Sequence, residues 1–254
     1  MEIVANVVLP RMPELKHPIF DDLYLNISKK VIKTGVNDDP LLTIIVDHIQ
    51  PQNVLEVACG CGLTAVNLAR AFPGAQICGI DLNEQYIALA KKEFDLEKIT
   101  FSKQDAYLFK KPNTFDLVVS TRSLHHFDDI SKLFGTIYEN LQTNGFFVFA
   151  DFNRKFMDQF SVDIELSRKV KMNLCYWVYH ARTLFSDGDF VKYMQRKFGQ
   201  VKTFSDQVQI LVANSIIASY TPLEVVMALK EAGFKKPDFR MTLNKRSMFV
   251  AAQK

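Results

Sequence analysis

The chain has 254 residues, 48% hydrophobic and 23% charged, with a formal net charge of +3; this excludes a disordered or fibrous class and leaves room for one doubly wound domain plus an insertion. So small a charge does not by itself predict nucleic-acid binding. No run reaches the ~18 apolar residues of a membrane span, and the opening MEIVANVVLPRMPELK lacks the basic-then-apolar pattern of an export signal, so a cytoplasmic protein with no membrane span is expected.

Residues 20–32 and 40–49 carry apolar side chains at helical spacing, with Asn37, Asp38 and Asp39 as capping types before the second segment. Residues 1–50 therefore read as an N-terminal helical cap. Regular alternation follows, with strands expected near 53–58, 76–80, 98–103, 115–120 and 145–151 and helices near 63–71, 84–94 and 129–141. That order gives an α/β core over 51–152, doubly wound, with a parallel sheet covered on both faces and ligands at the carboxyl ends of its strands.

Residues 153–220 exceed the length of an ordinary connection. Leu166, Val170, Leu174, Trp177, Val178, Ala181 and Phe185 recur at helical spacing, and further helices are expected over 188–198 and 206–218. Leaving the end of a strand, the segment reads as a helical lid over the active face. It holds ten Lys/Arg against six Asp/Glu, an excess that reads first as solvated helix faces and alternatively as a modest pull on an acidic substrate or an anionic membrane surface. Residues 221–254, TPLEVVMALKEAGF and then two strands about a polar turn, complete the core.

Of the four cysteines, at 59, 61, 78 and 175, the first two are too close for an ordinary disulfide, and no nearby Cys or His completes a zinc set. They read as small residues lining a turn in a reducing compartment, and no metal is expected.

The stretch VLEVACGCG at 54–62, followed by ICGIDLN at 77–83, describes a buried strand ending in a small-residue turn that opens into a helix. Gly60 and Gly62 permit close approach of a ligand, and Asp81, nineteen residues beyond Gly62, ends the next strand where a carboxylate can accept from both hydroxyls of a ribose. Gly60, Gly62 and Ala65 also satisfy the dinucleotide fingerprint G-x-G-x-x-A. Glu56 argues against a diphosphate there, since its charge would repel phosphate and favour an ammonium or sulfonium.

With this turn, the chain resembles the class I S-adenosylmethionine-dependent methyltransferases, whose motif is an apolar strand, an acid and G-x-G-x-G; here it reads Glu56, Ala58, Gly60, Gly62. Ala58 replaces the first glycine, a mild change if φ is negative there. Asp81 with Leu82, SKQDAYLF at 102–109, FDLVVSTRSLHHFDD at 115–129 and the closing helix and strand pair follow in family order. The resemblance covers roughly 38–152 and 221–254. It implies a seven-stranded Rossmann-like sheet of order 3-2-1-4-5-7-6 with the last strand antiparallel.

It also implies S-adenosyl-L-methionine as cofactor and S-adenosyl-L-homocysteine as product. Glu56 and the backbone around Ala58, Cys59, Gly60 and Gly62 would hold the methionine end, Asp81 the ribose, Leu82 the adenine face, and Asp105 the exocyclic amine with Ala106 beside it; Thr121 joins the cofactor set. An activated sulfonium makes positioning matter more than acid–base chemistry, which is needed only for an acceptor that stays protonated at neutral pH. His125 and His126, directly after the fourth strand, are the catalytic candidates. Arg122 could meet an acceptor carboxylate or phosphate, and Tyr24, Tyr176, Tyr179, His180 and Tyr220 are candidate acceptor walls.

A methyltransferase acting on O, N or C of a small lipophilic or aromatic acceptor is the leading reading. There is no Asn/Asp-Pro-Pro-aromatic motif and no basic stripe, so a nucleic-acid acceptor is disfavoured. A protein of the same fold that binds the cofactor without transferring methyl is the alternative, and an NAD(P)-dependent oxidoreductase the third. Oligomeric state is not encoded in any motif.

Overall fold

A computed structural model of the chain describes residues 11–12, 14, 16, 18–34, 41, 44–45, 47–154, 161–166, 168–173, 192, 215–242 and 247–254. Helix α1 (Pro18–Thr34) precedes a core of β1 (Asn53–Val57), α2 (Leu63–Ala71), β2 (Gln76–Asp81), α3 (Glu84–Glu93), β3 (Ile99–Lys103), β4 (Phe115–Thr121), α4 (Ile130–Asn140) and β5 (Leu141–Phe152). A hairpin, β6 (Ser161–Leu166) and β7 (Arg168–Asn173), then α5 (Pro222–Glu231), β8 (Lys235–Met241) and β9 (Ser247–Gln253) complete the described elements.

The main sheet has seven strands in the order β3-β2-β1-β4-β5-β9-β8. With the β6–β7 hairpin standing apart, this is the expected 3-2-1-4-5-7-6 order. Strands β1 to β5 run parallel, and β9 lies antiparallel between β5 and β8. Chain order reverses between β1 and β4, which places the ligand crevice beyond their carboxyl ends.

The strands form where sequence supplies apolar residues for both faces. Leu117, Val118 and Val119 of β4 and Phe147, Val148 and Phe149 of β5 are fully buried. On one face Phe134, Ile137 and Leu229 of α4 and α5 pack with Phe147 and Phe149; on the other, Leu68 and Ile87 of α2 and α3 pack with Leu41, Ile44 and Ile45. Truncating a ring such as Phe147 would cost about 3–5 kcal/mol. Helix starts are set by side chains: Asn83 accepts from the Gln85 and Tyr86 N–H groups, Asp129 from Lys132, and Thr221 with Glu224 forms a capping box ahead of α5.

Two expectations change. The helical spacing from Leu166 does not become a helix through residue 173, because Ser161–Leu166 and Arg168–Asn173 pair antiparallel. The competing period-2 pattern of Val162, Ile164, Leu166 and Val170, Met172 prevails, with Asp163 in register with Lys171 and Glu165 with Lys169. Strand β5 also starts earlier than expected, at Leu141, with a register shift between Phe115 and Leu117 on its neighbour β4. Of the expected second N-terminal helix, Leu41, Ile44 and Ile45 are helical and buried, and a turn follows at 47–48. Residues 215–218 are helical, as expected for the end of the 206–218 helix, while most of 174–214 lies outside the described residues.

Candidate active site

The turn after β1 is held by backbone hydrogen bonds. Cys59 N–H donates to the Ile80 carbonyl at 2.9 Å and Gly62 N–H to that of Cys59 at 2.9 Å. Ala58, Gly60 and Gly62 all have left-handed backbones, with φ of 54°, 52° and 82°. The alanine is therefore not the mild replacement expected from sequence; a Cβ in that conformation costs about 1–2 kcal/mol. Gly62 is needed for packing as well, since a Cβ there would lie 2.6 Å from the Phe101 ring. A Cβ on Gly60 would collide with the Tyr24 hydroxyl, so α1 reaches the turn through that phenol.

Asp81 locks the turn to the end of β2. Its Oδ2 accepts from Gly60 N–H at 2.9 Å and its Oδ1 from Asn83 N–H at 2.8 Å. Each carboxylate oxygen keeps a lone pair for a further donor. Burial raises the carboxyl above its ordinary value, against the pull of the Asn83 and Gly60 N–H groups. Gln104 N–H donates to the Asp81 carbonyl at 3.0 Å, bringing the loop of Asp105 alongside. Asp105 Oδ1 accepts from Tyr107 N–H at 2.8 Å, and Ala106 packs on the core beside it. Leu82, 67% exposed, presents an apolar side chain next to Asp81. Glu56 is buried within β1, while the Cys59 side chain belongs to the core beneath the turn, so Cys59 serves the site through its backbone.

The second half of the site follows β4. Thr121 ends the strand, and its buried Oγ1 has no hydrogen-bond partner among the described residues. Arg122 has φ 51°, donates its N–H to the Ala150 carbonyl at 2.7 Å and turns an exposed side chain outward. The short 3-10 turn Leu124–His126 then presents both histidines, ring centroids 4.2 Å apart. His125 is buried; its Nδ1 lies 2.9 Å from Asp151 Oδ1, and its backbone N–H donates to Asp151 Oδ2 at 3.2 Å.

Glu14 reaches the same pair, hydrogen bonding His126 Nδ1 through Oε2 and lying 3.9 Å from His125 Nε2 through Oε1. Burial would raise the Glu14 carboxyl, but the hydrogen bond and charge of His126 and the charge of His125 hold it below its ordinary value. Desolvation acts to lower His126, yet Glu14, Asp151 and Asp81 together raise it. Because β1, β2 and β4 are parallel neighbours, the turn after β1, Asp81 at the end of β2 and the histidine turn after β4 all lie at the carboxyl edge of the sheet.

Sequence reading picks out His125 and His126 but misses Glu14 and Asp151. Asp151 is findable, because β5 ends in an acid after an apolar run just as β1 and β2 do. Glu14 carries no local signal. Tyr220 is used structurally. Its hydroxyl donates to the Phe127 carbonyl at 2.6 Å, its ring lies 4.3 Å from the Arg11 guanidinium, and burial pushes it up to about 12 against the charge of Arg11. Tyr176, Tyr179 and His180 lie outside the described residues.

Residues 54–145 match the family model described as a methyltransferase domain. Malonyl-[acyl-carrier protein] O-methyltransferase of Bacillus anthracis is 23% identical over 154 residues, covering 59% of this chain and 55% of that protein. The chain therefore spans about half the length of this curated relative. Phthiotriol/phenolphthiotriol dimycocerosates methyltransferase of Mycobacterium tuberculosis is 33% identical over 101 residues, 39% of this chain and 37% of that one. Human N-acetylserotonin methyltransferase, solved with S-adenosylmethionine, superposes with a TM-score of 0.53 at 18% identity, over 84% of this chain and 50% of that one.

Over residues 54–145 the chain thus matches a methyltransferase-domain family, and its fold is that of solved S-adenosylmethionine-dependent methyltransferases. The cofactor of that family is S-adenosylmethionine, and the turn fits it. Gly60 has bare backbone, Asp81 a carboxylate already accepting from the Gly60 N–H, Leu82 an exposed apolar side chain and Thr121 a buried hydroxyl with no hydrogen-bond partner among the described residues.

Proposed function

We propose that the protein transfers the methyl group of S-adenosylmethionine to a small, lipophilic acceptor whose nucleophilic oxygen carries a proton to be removed. The observation that carries this reading is the buried His125–Asp151 pair, at the same carboxyl edge of the parallel strands as the Gly60–Asp81 turn. Glu56, the Ala58–Gly62 backbone and Thr121 hold the methionine end of the cofactor, Asp81 the ribose, and Leu82, Asp105 and Ala106 the adenine. Bound there, the cofactor supplies a methyl group already activated by a positively charged sulfur.

Asp151 accepts from His125 Nδ1–H, which fixes the tautomer and leaves Nε2, on the side of Glu14, as the basic nitrogen. A base so held contributes ~10² to 10⁴-fold, and a neutral acceptor becomes a nucleophile only after losing its proton. The name of the Bacillus relative, an O-methyltransferase for an acyl-carrier substrate, agrees with an oxygen nucleophile. Among the described residues no helix is long and apolar enough to cross a membrane, and Cys59, Cys61 and Cys78 are free thiols, which suits work on a small molecule in a reducing cytoplasm.

The test is to incubate the purified protein with methyl-labelled S-adenosylmethionine and a panel of lipophilic alcohols and phenols, reading S-adenosylhomocysteine and labelled product by mass spectrometry. Label in an oxygen-methylated product supports the proposal. Cofactor retained unchanged across the panel, or label only on nitrogen or carbon, overturns it.

A further inference from the structure

Glu14 comes from the segment before α1, and His125 and His126 from the turn after β4, yet one ligand-type atom from each lies within 4.8 Å of the others. We propose that these three side chains bind a divalent transition-metal ion of the Zn²⁺ type on the acceptor side of the methyltransferase site. This inference rests on the methyl-transfer reading for the ion's use, but not for its binding.

Two imidazoles and one carboxylate are the donor set that suits such ions, and three protein ligands leave an open position for an exchangeable oxygen. Metal–ligand bonds of about 2.0–2.2 Å to N and O set ligand atoms about 3.3–3.5 Å apart. Glu14 Oε1 and His125 Nε2, at 3.9 Å, need to close by only a few tenths of an ångström.

Behind the donors stands the support that metal-binding histidines require. His125 turns Nδ1 to Asp151 and so offers Nε2 to the ion, the carboxylate–histidine–metal arrangement. Asp151 is itself fixed, its Oδ1 also accepting from Phe152 N–H at 2.7 Å and its Oδ2 from His125 N–H. The segment carrying Glu14 is tied down as well: Arg11 donates to the Ala218 carbonyl at 2.7 Å and to that of Phe127 at 2.8 Å. An ion here replaces His125 as the group that acidifies the acceptor. The acceptor oxygen binds at the open position, its O–H bond is weakened, and the proton leaves to solvent while the electron pair stays on oxygen.

Equilibrium dialysis of the tag-free full chain against Zn²⁺, with metal content by mass spectrometry, gives the stoichiometry, and Co²⁺ substitution gives a visible spectrum that reports coordination. The expected result is one ion per chain, with affinity lowered at least tenfold in Glu14→Gln and in His126→Gln and ~10 to 100-fold in Asp151→Asn. Glu93→Gln, at an exposed carboxylate at the end of α3, serves as a control that leaves binding and spectrum unchanged. Substoichiometric uptake, or uptake with an unchanged Co²⁺ spectrum in Glu14→Gln, overturns the metal site. Methyl transfer by chelator-treated protein at the untreated rate overturns the ion's part in the reaction while upholding the methyltransferase reading; a bound ion with no product from any acceptor does the reverse.

Discussion

The two halves of the site are built in opposite ways. On the cofactor side, contiguous sequence makes the pocket: the turn from Ala58 to Gly62 and the end of β2 are closed by backbone N–H groups on Asp81, within some twenty residues. On the acceptor side, side chains make it, and they come from far apart; His126 meets Glu14 across 112 positions and His125 meets Asp151 across 26. A pocket made of backbone conformation is dictated by local glycines and a strand-end acid. One made of converging side chains exists only after the sheet has assembled.

The largest effect expected to expose this contrast is on the acceptor side. Asp151→Asn should lower the methyl-transfer rate by ~10² to 10⁴-fold while leaving S-adenosylhomocysteine affinity within about twofold, since it disturbs the base and not the turn. Calorimetry beside single-turnover rates would check it, and a parallel fall in cofactor affinity would show that the halves are not separable. In the converse experiment, Asp81→Ala should weaken S-adenosylhomocysteine binding by ~10²-fold, the loss of charge-assisted hydrogen bonds at about 1.5–3 kcal/mol each. Because burial raises Asp81, binding to the unaltered protein should weaken on acidification before the ordinary aspartate value of 3.8 is reached, and titrating affinity against pH would show it.

Smaller effects test the frame that holds the halves together. Glu224 is buried enough to favour the neutral form, but Thr221 and Arg154 outweigh that and lower its carboxyl. Its contribution is therefore fully present above the ordinary glutamate value of 4.5 and is lost as pH falls through the lowered one. Glu224→Gln should flatten that acid limb in thermal melts by no more than about 1 kcal/mol, given the partial exposure of the Glu224 carboxylate. The smallest change is Ala58→Gly. Relief of the left-handed alanine, about 1–2 kcal/mol, is offset by about 0.5–1 kcal/mol of added chain entropy, leaving a gain of about 0.5–1 kcal/mol readable in urea melts.

The same contrast explains how much is legible from the chain alone. Strand order, the two apolar faces and the Gly60–Asp81 turn follow from period-2 and period-3.6 patterns and from residues whose backbone demands are local. The β6–β7 hairpin reads as a helix because Leu166 and Val170 satisfy both periods, and only pairing across the ladder separates them. The left-handed φ of Ala58 is set by the turn around it rather than by alanine's own preference. Asp151 carries the same strand-end signature as Asp81, so its pattern is visible while its partner His125 is not; Glu14 sits in a stretch with no pattern at all.

The thiols beside the turn carry a chemical consequence for a pocket that holds an alkylating agent. Burial pushes the Cys61 thiol up to about 11, and burial together with the Glu56 and Asp81 charges pushes Cys59 well above its ordinary value. Both stay protonated at neutral pH, and a protonated thiol is a poor nucleophile. The burial and the acids beside the turn thus hold the neighbouring sulfurs in the form that reacts slowly with a methyl donor.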